Sequence, residues 1–325
     1  MKRFVVFGAK VAVATVLIGW LVKGGALDFK ALRVMIDKPW LLVLDLAVFF
    51  VGGFLGAMRW RALLSIPDVR PPIRRVTQLH FTALFFNIVI PGNVGGDVVK
   101  ALYVARDEAP EKRTTILLIV FIERLIGLGG LVVMATLVTV LRGPTLFNDP
   151  VLRPLAITVA LIGAGTVLGP AIFMLVIRRA GARFDAWTSG PSKLAKLANQ
   201  LVAALRLLST APKKLALALA FSMGVHALNM VFFTILTGVL TGVDVPFSSV
   251  ATIYPLGILT LILPISPAGL GVGHAAFDGL FKAIDLKGGA TVFNVYLIGQ
   301  IVPALTGVVP YLSLRRDPPV EVEPS

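Results

Sequence analysis

Apolar residues in this chain run on without the polar interruptions that pattern the elements of a soluble domain. The stretches 4–22, 40–58, 114–141, 154–177, 215–240 and 290–314 are each predominantly apolar over about 18 residues or more, the length a helix needs to cross a hydrocarbon core of roughly 30 Å. Two further apolar stretches, 78–90 and 248–263, are shorter and stop at Pro/Gly-rich breaks, after which a second short helix is predicted over 98–105 and 274–284. The pattern predicts an all-α fold: a polytopic transmembrane helix bundle of six full spans plus two re-entrant broken-helix segments, in an inverted-repeat-like arrangement. A transmembrane β-barrel would show alternating segments of about ten residues instead.

Residues 1–316 read as one integral membrane domain, with half-repeats at 40–141 and 214–314 and a Pro/Glu tail at 317–325 that is expected to be disordered. A basic segment, 178–213, joins the halves. Within it Leu194, Leu197, Leu201, Leu205 and Leu208 recur at three- or four-residue spacing, predicting an amphipathic helix in the membrane interface. Residues 26–38 mix Leu27, Leu32, Met35 and Ile36 with Lys30, Arg33, Asp37 and Lys38, and read equally as a short interfacial helix or a solvated loop. Lys2 and Arg3 before the first apolar stretch could open a signal peptide, but the stretch exceeds the usual apolar region of about 7–15 residues, so it is read as the first span.

Composition agrees with a membrane solvent. Of 325 residues, 57% are hydrophobic and 15% charged, against roughly a quarter charged in soluble domains. The net charge is +14, and the basic residues sit between and beside the apolar runs, which reads as topology signal and attraction to anionic lipid rather than to nucleic acid. Applied to each connection, the positive-inside rule places the loops at 59–77, 106–113 and 178–214 on one side with both termini, predicted cytoplasmic in a cytoplasmic (inner) membrane. Lys23, Lys30, Arg33 and Lys38 are discordant. The chain has no cysteine, which removes disulfides, thiolate metal sites and a cysteine nucleophile. Its three histidines lack metal-ligand spacing, and no metal or other cofactor is expected.

The two breaks match residue for residue: Pro91-Gly92-Asn93-Val94-Gly95 lies over Pro267-Ala268-Gly269-Leu270-Gly271. Proline ends a helix, glycine permits positive φ and close approach, and the helix that restarts offers free N–H groups and the positive end of its dipole. Paired interruptions in corresponding places of two halves point to a transporter-like binding site, and exposed backbone at membrane depth has to border protein or a wet cavity. The plainer reading is a pair of kinks between ordinary helices. Gly269-Leu270-Gly271-Val272-Gly273 lacks the βαβ context of a nucleotide loop, and Gly95-Gly96 with Lys100 lacks the Walker spacing.

Ionisable residues inside apolar segments are costly and mark function. Glu123 and Arg124 lie about nine and ten residues into the span that starts at Thr114, near its midplane at about 1.5 Å per residue. As neighbours in sequence they point roughly 100° apart, so each needs its own partner; Lys100 and Asp97 are the candidates. A buried structural network and direct ligand contact are both open. Asp97 is also placed to cap the restarting helix. Asp45, His80, His226, Asn229, His274, Asp278, Asn294 and Gln300 are further polar residues in or beside membrane segments.

In these pieces the chain resembles the UPF0104 membrane proteins, related to the flippase-type transmembrane domain of bacterial lysylphosphatidylglycerol synthases. The resemblance runs from about Lys38 to Arg316. It is carried by Asn87-Ile88-Val89-Ile90-Pro91-Gly92-Asn93-Val94-Gly95-Gly96-Asp97-Val98-Val99-Lys100, by Glu123-Arg124-Leu125-Ile126-Gly127, and by Leu263-Pro264-Ile265-Ser266-Pro267-Ala268-Gly269-Leu270-Gly271-Val272. The family often has Arg-Glu after the last motif, where this chain has Gly273-His274, and Lys100 stands where Arg is common. The resemblance implies lipid handling: flipping of a charged phospholipid, or service to a glycolipid or cell-envelope pathway beside a biosynthetic enzyme. The aminoacyl transferase domain of the full synthases is absent from this sequence.

The expected function is that of a lipid flippase or transporter subunit for an anionic or phosphate-bearing lipid, not an enzyme. A glycosyltransferase-like enzyme acting on a lipid-linked sugar, or a non-catalytic scaffold for an envelope-lipid enzyme, are the alternatives. The phosphate is expected near Gly95, Gly96 and Asp97 and near Gly271 and His274, with Arg124 and Lys100 as countercharges and Asn87 and Asn93 as hydrogen-bond partners. Pro91, Gly92, Pro267 and Gly269 shape the breaks, and Glu123 completes the candidate site.

Overall fold

A computed structural model describes residues 29–90, 95–148, 150, 153–188, 195, 199, 202, 206, 210–261 and 271–314. The expected first span, the leucine stripe at 194–208, the tail, and Pro91, Gly92, Asn93, Pro267 and Gly269 at the breaks all lie outside the described residues. Every regular element among the described residues is helical: α1 (Phe29–Asp37), α2 (Pro39–Leu64), α3 (Ile73–Val89), α4 (Gly95–Arg106), α5 (Pro110–Leu141), α6 (Gly143–Asn148), α7 (Arg153–Thr188), α8 (Pro212–Thr241), α9 (Phe247–Thr260), α10 (Val272–Lys282), α11 (Gly289–Ala304), a 3₁₀ turn at Leu305–Gly307, and α12 (Val308–Ser313).

Four segments among the described residues are long and apolar enough to cross a membrane: Pro39–Leu64, Pro110–Leu141, Pro212–Thr241 and Gly289–Ser313. They coincide with four of the expected spans. A fifth expected span, 154–177, falls within α7, whose apolar stretch Arg153–Thr166 is shorter. Large apolar side chains cover the outer surface: Val43 and Phe54 on α2, Phe121 and Leu125 on α5, Leu161 and Leu168 on α7, and Val231 on α8 are all exposed. Hydrocarbon is the solvent that accommodates such a surface.

Helix order repeats along the chain. A long apolar helix, two short helices flanking a Pro/Gly break and a second long helix occur as α2–α3–α4–α5 and again as α8–α9–α10–α11. The first helices of the two sets, α2 and α8, pack on each other in opposite directions: Arg59 meets Ser222, and Leu55 meets Gly224 further along. α5 crosses the same region, its Gly130 seated on Ser222. Small residues allow this closeness where lipid supplies no hydrophobic drive between helices.

Several boundaries differ from those expected. α2 does not end at 58; it runs to Leu64, so Arg59 and Arg61 are helical and the connection to α3 is short. The continuation has an apolar reason, since Ala57, Trp60, Leu63 and Leu64 recur on one buried face. Gly143-Pro144, expected as a turn, opens the short helix α6; proline in a first turn lacks only an N–H that would be unpaired anyway. Residues 29–37 form a helix rather than a loop, with Met35 buried and Arg33 and Ile36 exposed.

Candidate functional site: a chain of charges beside a helix break

α3 and α4 flank the first break and lie against each other, and α5 packs on α4. Gly96, in the first turn of α4, sits so close to α3 that a Cβ there would collide with the carbonyl oxygen of Ala83; this close approach is what the glycine is for. The Gly96 N–H donates to Asn87 Oδ1 at 2.9 Å. The helix start is therefore satisfied by a side chain reaching back from the end of α3. Asp97, expected as the cap, lies inside the first turn and its carboxylate is used elsewhere.

That carboxylate joins five charges that alternate in sign. Arg59 Nη2 lies 3.2 Å from Glu123 Oε1, and Glu123 Oε2 lies 2.6 Å from Lys100 Nζ. Lys100 Nζ is in turn 3.0 Å from Asp97 Oδ1, and Asp97 Oδ2 accepts from Arg124 through Nε and Nη2. The chain Arg59–Glu123–Lys100–Asp97–Arg124 ties α2, α4 and α5 together. Ser222 extends it to α8 by accepting from Arg59 Nη1 at 3.2 Å. Beneath the ammonium, the Trp60 ring centroid lies 4.8 Å from Lys100 Nζ, a cation–π contact.

The expected partition of Glu123 and Arg124 between different partners is the observed one, and it follows from the 100° between neighbours on a helix. Lys100 is not placed as an expected countercharge for a ligand: its side chain is 1% exposed and held between two carboxylates. Removing it would strand two carboxylates away from water, which is the costly way to break a buried pair. Arg124 stands at the other extreme, with 41% of its side chain exposed. The exposed apolar residues Phe121 and Leu125 flank it on α5, and Val98 and Leu102 are exposed on α4.

Beside the second break the polar contacts among the described residues are made by a histidine and an amide. Gly271 has φ of +84°, a conformation glycine adopts readily, and α10 starts directly after it. His274 Nδ1 accepts from the Gly271 N–H at 3.4 Å, and Nε2 lies 3.4 Å from Asn294 Oδ1 on α11. One tautomer, protonated on Nε2, satisfies both long contacts. The Phe293 ring meets the imidazole edge-on at 5.1 Å.

Arg59, Trp60 and Ser222 belong to the site although the sequence did not single them out. Arg59 closes an apolar run and so looks like the first residue of a basic loop. The signal that could have found it is the helical spacing of Ala57, Trp60 and Leu64, which carries the apolar face past the arginine.

Membrane-crossing helices joined by a buried charge network at an interrupted segment define a polytopic helical membrane protein with a polar interior. The chain belongs to the lysylphosphatidylglycerol synthase TM region family, whose model matches residues 7–308. It is also similar to a UPF0104 membrane protein of Methanothermobacter thermautotrophicus, with 24% identity over 319 residues, covering 92% of this chain and 90% of the relative. No solved structure matches.

Proposed function

We propose that this protein moves an anionic, phosphate-bearing lipid across the cytoplasmic membrane, and that the headgroup is received at Arg124 beside the N-terminus of α4. The observation that carries the reading is the difference in exposure along the charge chain. Lys100, Glu123 and Asp97 have only 1%, 3% and 9% of their side chains exposed. Arg124, with 41% of its side chain exposed, is the member of the chain that an incoming headgroup can reach.

Two further features favour a lipid as the anion. Exposed Phe121 and Leu125 neighbour the arginine on α5, and Val98 and Leu102 are exposed on α4, so a headgroup held there would have apolar side chains available to its acyl chains. The first turn of α4 adds its dipole to the charge of the arginine. In this reading Lys100 and Glu123 are a support that holds the break in shape, and Arg124 makes the ligand contact. The repeated helix order fits two halves of opposite orientation with the breaks as re-entrant segments, the arrangement in which transporters place substrate between repeats.

The test is translocation of fluorescent phosphatidylglycerol by the purified full chain in vesicles, followed by quenching from outside with dithionite. Wild type is expected to expose inner-leaflet label and Arg124→Gln to lose most of that activity. Equal translocation by both would remove Arg124 from the site.

A further inference from the structure

Asp45 lies in the interior of α2, 1% exposed. Both of its carboxylate oxygens are buried without a hydrogen-bond partner among the described residues. On α11, a Cβ built on Gly299 would lie 2.5 Å from Asp45 Oδ1, so the acid is seated on the bare backbone of that residue. Next in sequence, Gln300 also has its amide nitrogen buried without a hydrogen-bond partner among the described residues. One turn earlier on α11, the Tyr296 hydroxyl is buried. That hydroxyl donates to Asn229 Oδ1 on α8 at 2.9 Å and also meets the Tyr254 hydroxyl at 2.9 Å.

The charged and titratable groups on the elements packed against α2 are otherwise engaged or remote. On α8, His226 is bonded to the Gly127 carbonyl. On α3, His80 packs against Gly56, three turns along α2 from Asp45 at about 3.6 residues per turn. On α5, Glu123 is held by Arg59 and Lys100. α1 offers an exposed Arg33–Asp37 pair, and Lys38, just before α2, lines an open cleft of about 510 Å³ with Thr234, Gly238 and Asp244. No described cation is paired with Asp45, in contrast to both carboxylates of the charge chain. Among the described residues an ionised carboxylate so placed, 1% exposed, has no countercharge, whereas a protonated one is a small neutral acid.

We propose that Asp45 is a proton-binding site: buried as the neutral acid in the conformation seen here, it releases its proton to water when the α2–α11 contact opens, and takes one back from water before the contact closes. The step moves one proton between a carboxyl oxygen and water and needs no other reactant. Asp45 and Arg59 are 14 residues apart on α2, about 21 Å at 1.5 Å per residue, so the proton site and the charge chain sit toward opposite ends of one helix. Coupling of the proton to lipid movement rests on the function proposed above; proton binding does not.

The test is pH-difference infrared spectroscopy of the full-length wild-type protein in lipid bilayers, with Asp45→Asn and Asp45→Glu as references. A protonated carboxylic acid carbonyl band is expected in wild type at neutral pH. It should disappear as the pH is raised, be absent from Asp45→Asn, and return at a shifted position in Asp45→Glu. Identical wild-type and Asp45→Asn spectra across the pH range would overturn the proposal. So would a carboxylate at neutral pH whose bands respond to sodium, because Asp45 would then be a cation ligand. Absence of lipid translocation by wild type that shows the acid band would count against the lipid function alone.

Discussion

Lys100 Nζ lies 2.6 Å from Glu123 Oε2 and 3.0 Å from Asp97 Oδ1, one buried ammonium joining carboxylates from two helices. Breaking such a contact from the cationic side leaves two buried negative charges. Lys100→Met is expected to lose about 3–5 kcal/mol of stability, read as a lowered midpoint in denaturant titration of the detergent-solubilised protein. The double variant Lys100→Met/Glu123→Gln should recover part of the loss, because one stranded charge is gone with its partner. A double variant no more stable than the single one would mean that Glu123 is not the partner that matters.

Arg59 and Glu123 are coupled across α2 and α5. Arg59→Gln and Glu123→Gln should be non-additive, with an interaction energy of about 0.5–3 kcal/mol in a double-mutant cycle. Additive effects would show that the pair holds no shared energy, and that Ser222 alone fixes Arg59.

The first break depends on close backbone approach. Gly96→Ala places a methyl group against the Ala83 carbonyl, and overpacking of this kind is expected to cost about 1–3 kcal/mol. Asn87→Ala, which removes the acceptor of the Gly96 N–H, should cost about 1 kcal/mol, the usual loss of a helix cap. The ordering of the two is the check: a milder Gly96→Ala would mean that α3 and α4 separate easily.

At the second break the constraint is conformational. Gly271 has open space around a built Cβ but a φ of +84°, so Gly271→Ala should destabilise by about 1–3 kcal/mol through backbone strain. Gly279→Ala, on the same helix with equally open space and no positive φ, should be neutral or mildly stabilising in the same unfolding assay. Equal responses would show that the positive φ is not required.

Much of this was written in the sequence because the membrane leaves few choices. Apolar run length located the long helices, and Pro/Gly clusters located the ends of α3 and α9 and the starts of α4 and α10 to within a few residues. The Asp97–Arg124 and Lys100–Glu123 pairings could be read because helical geometry splits neighbouring charges and little else nearby was charged. What escaped was tertiary. The cap of α4 is Asn87, a residue eight positions before Gly95, which meets the helix start only because α3 folds back beside it. Arg59 was hidden by its position at the edge of an apolar run, where arginine ordinarily reports topology. Asp45 was visible as a polar residue in a span, but its isolation depends on α11 arriving with a glycine at that level.

The most direct test of the proposed lipid site is native mass spectrometry of the full chain released from mild detergent, wild type beside Arg124→Gln. The account predicts that wild type carries a phosphate-bearing lipid and that Arg124→Gln, still folded though less stable for the loss of its Asp97 contact, loses it. Retention of the same lipid by both proteins would contradict the assignment of the headgroup to Arg124. Absence of any bound phospholipid from wild type would contradict a retained anionic lipid at this site.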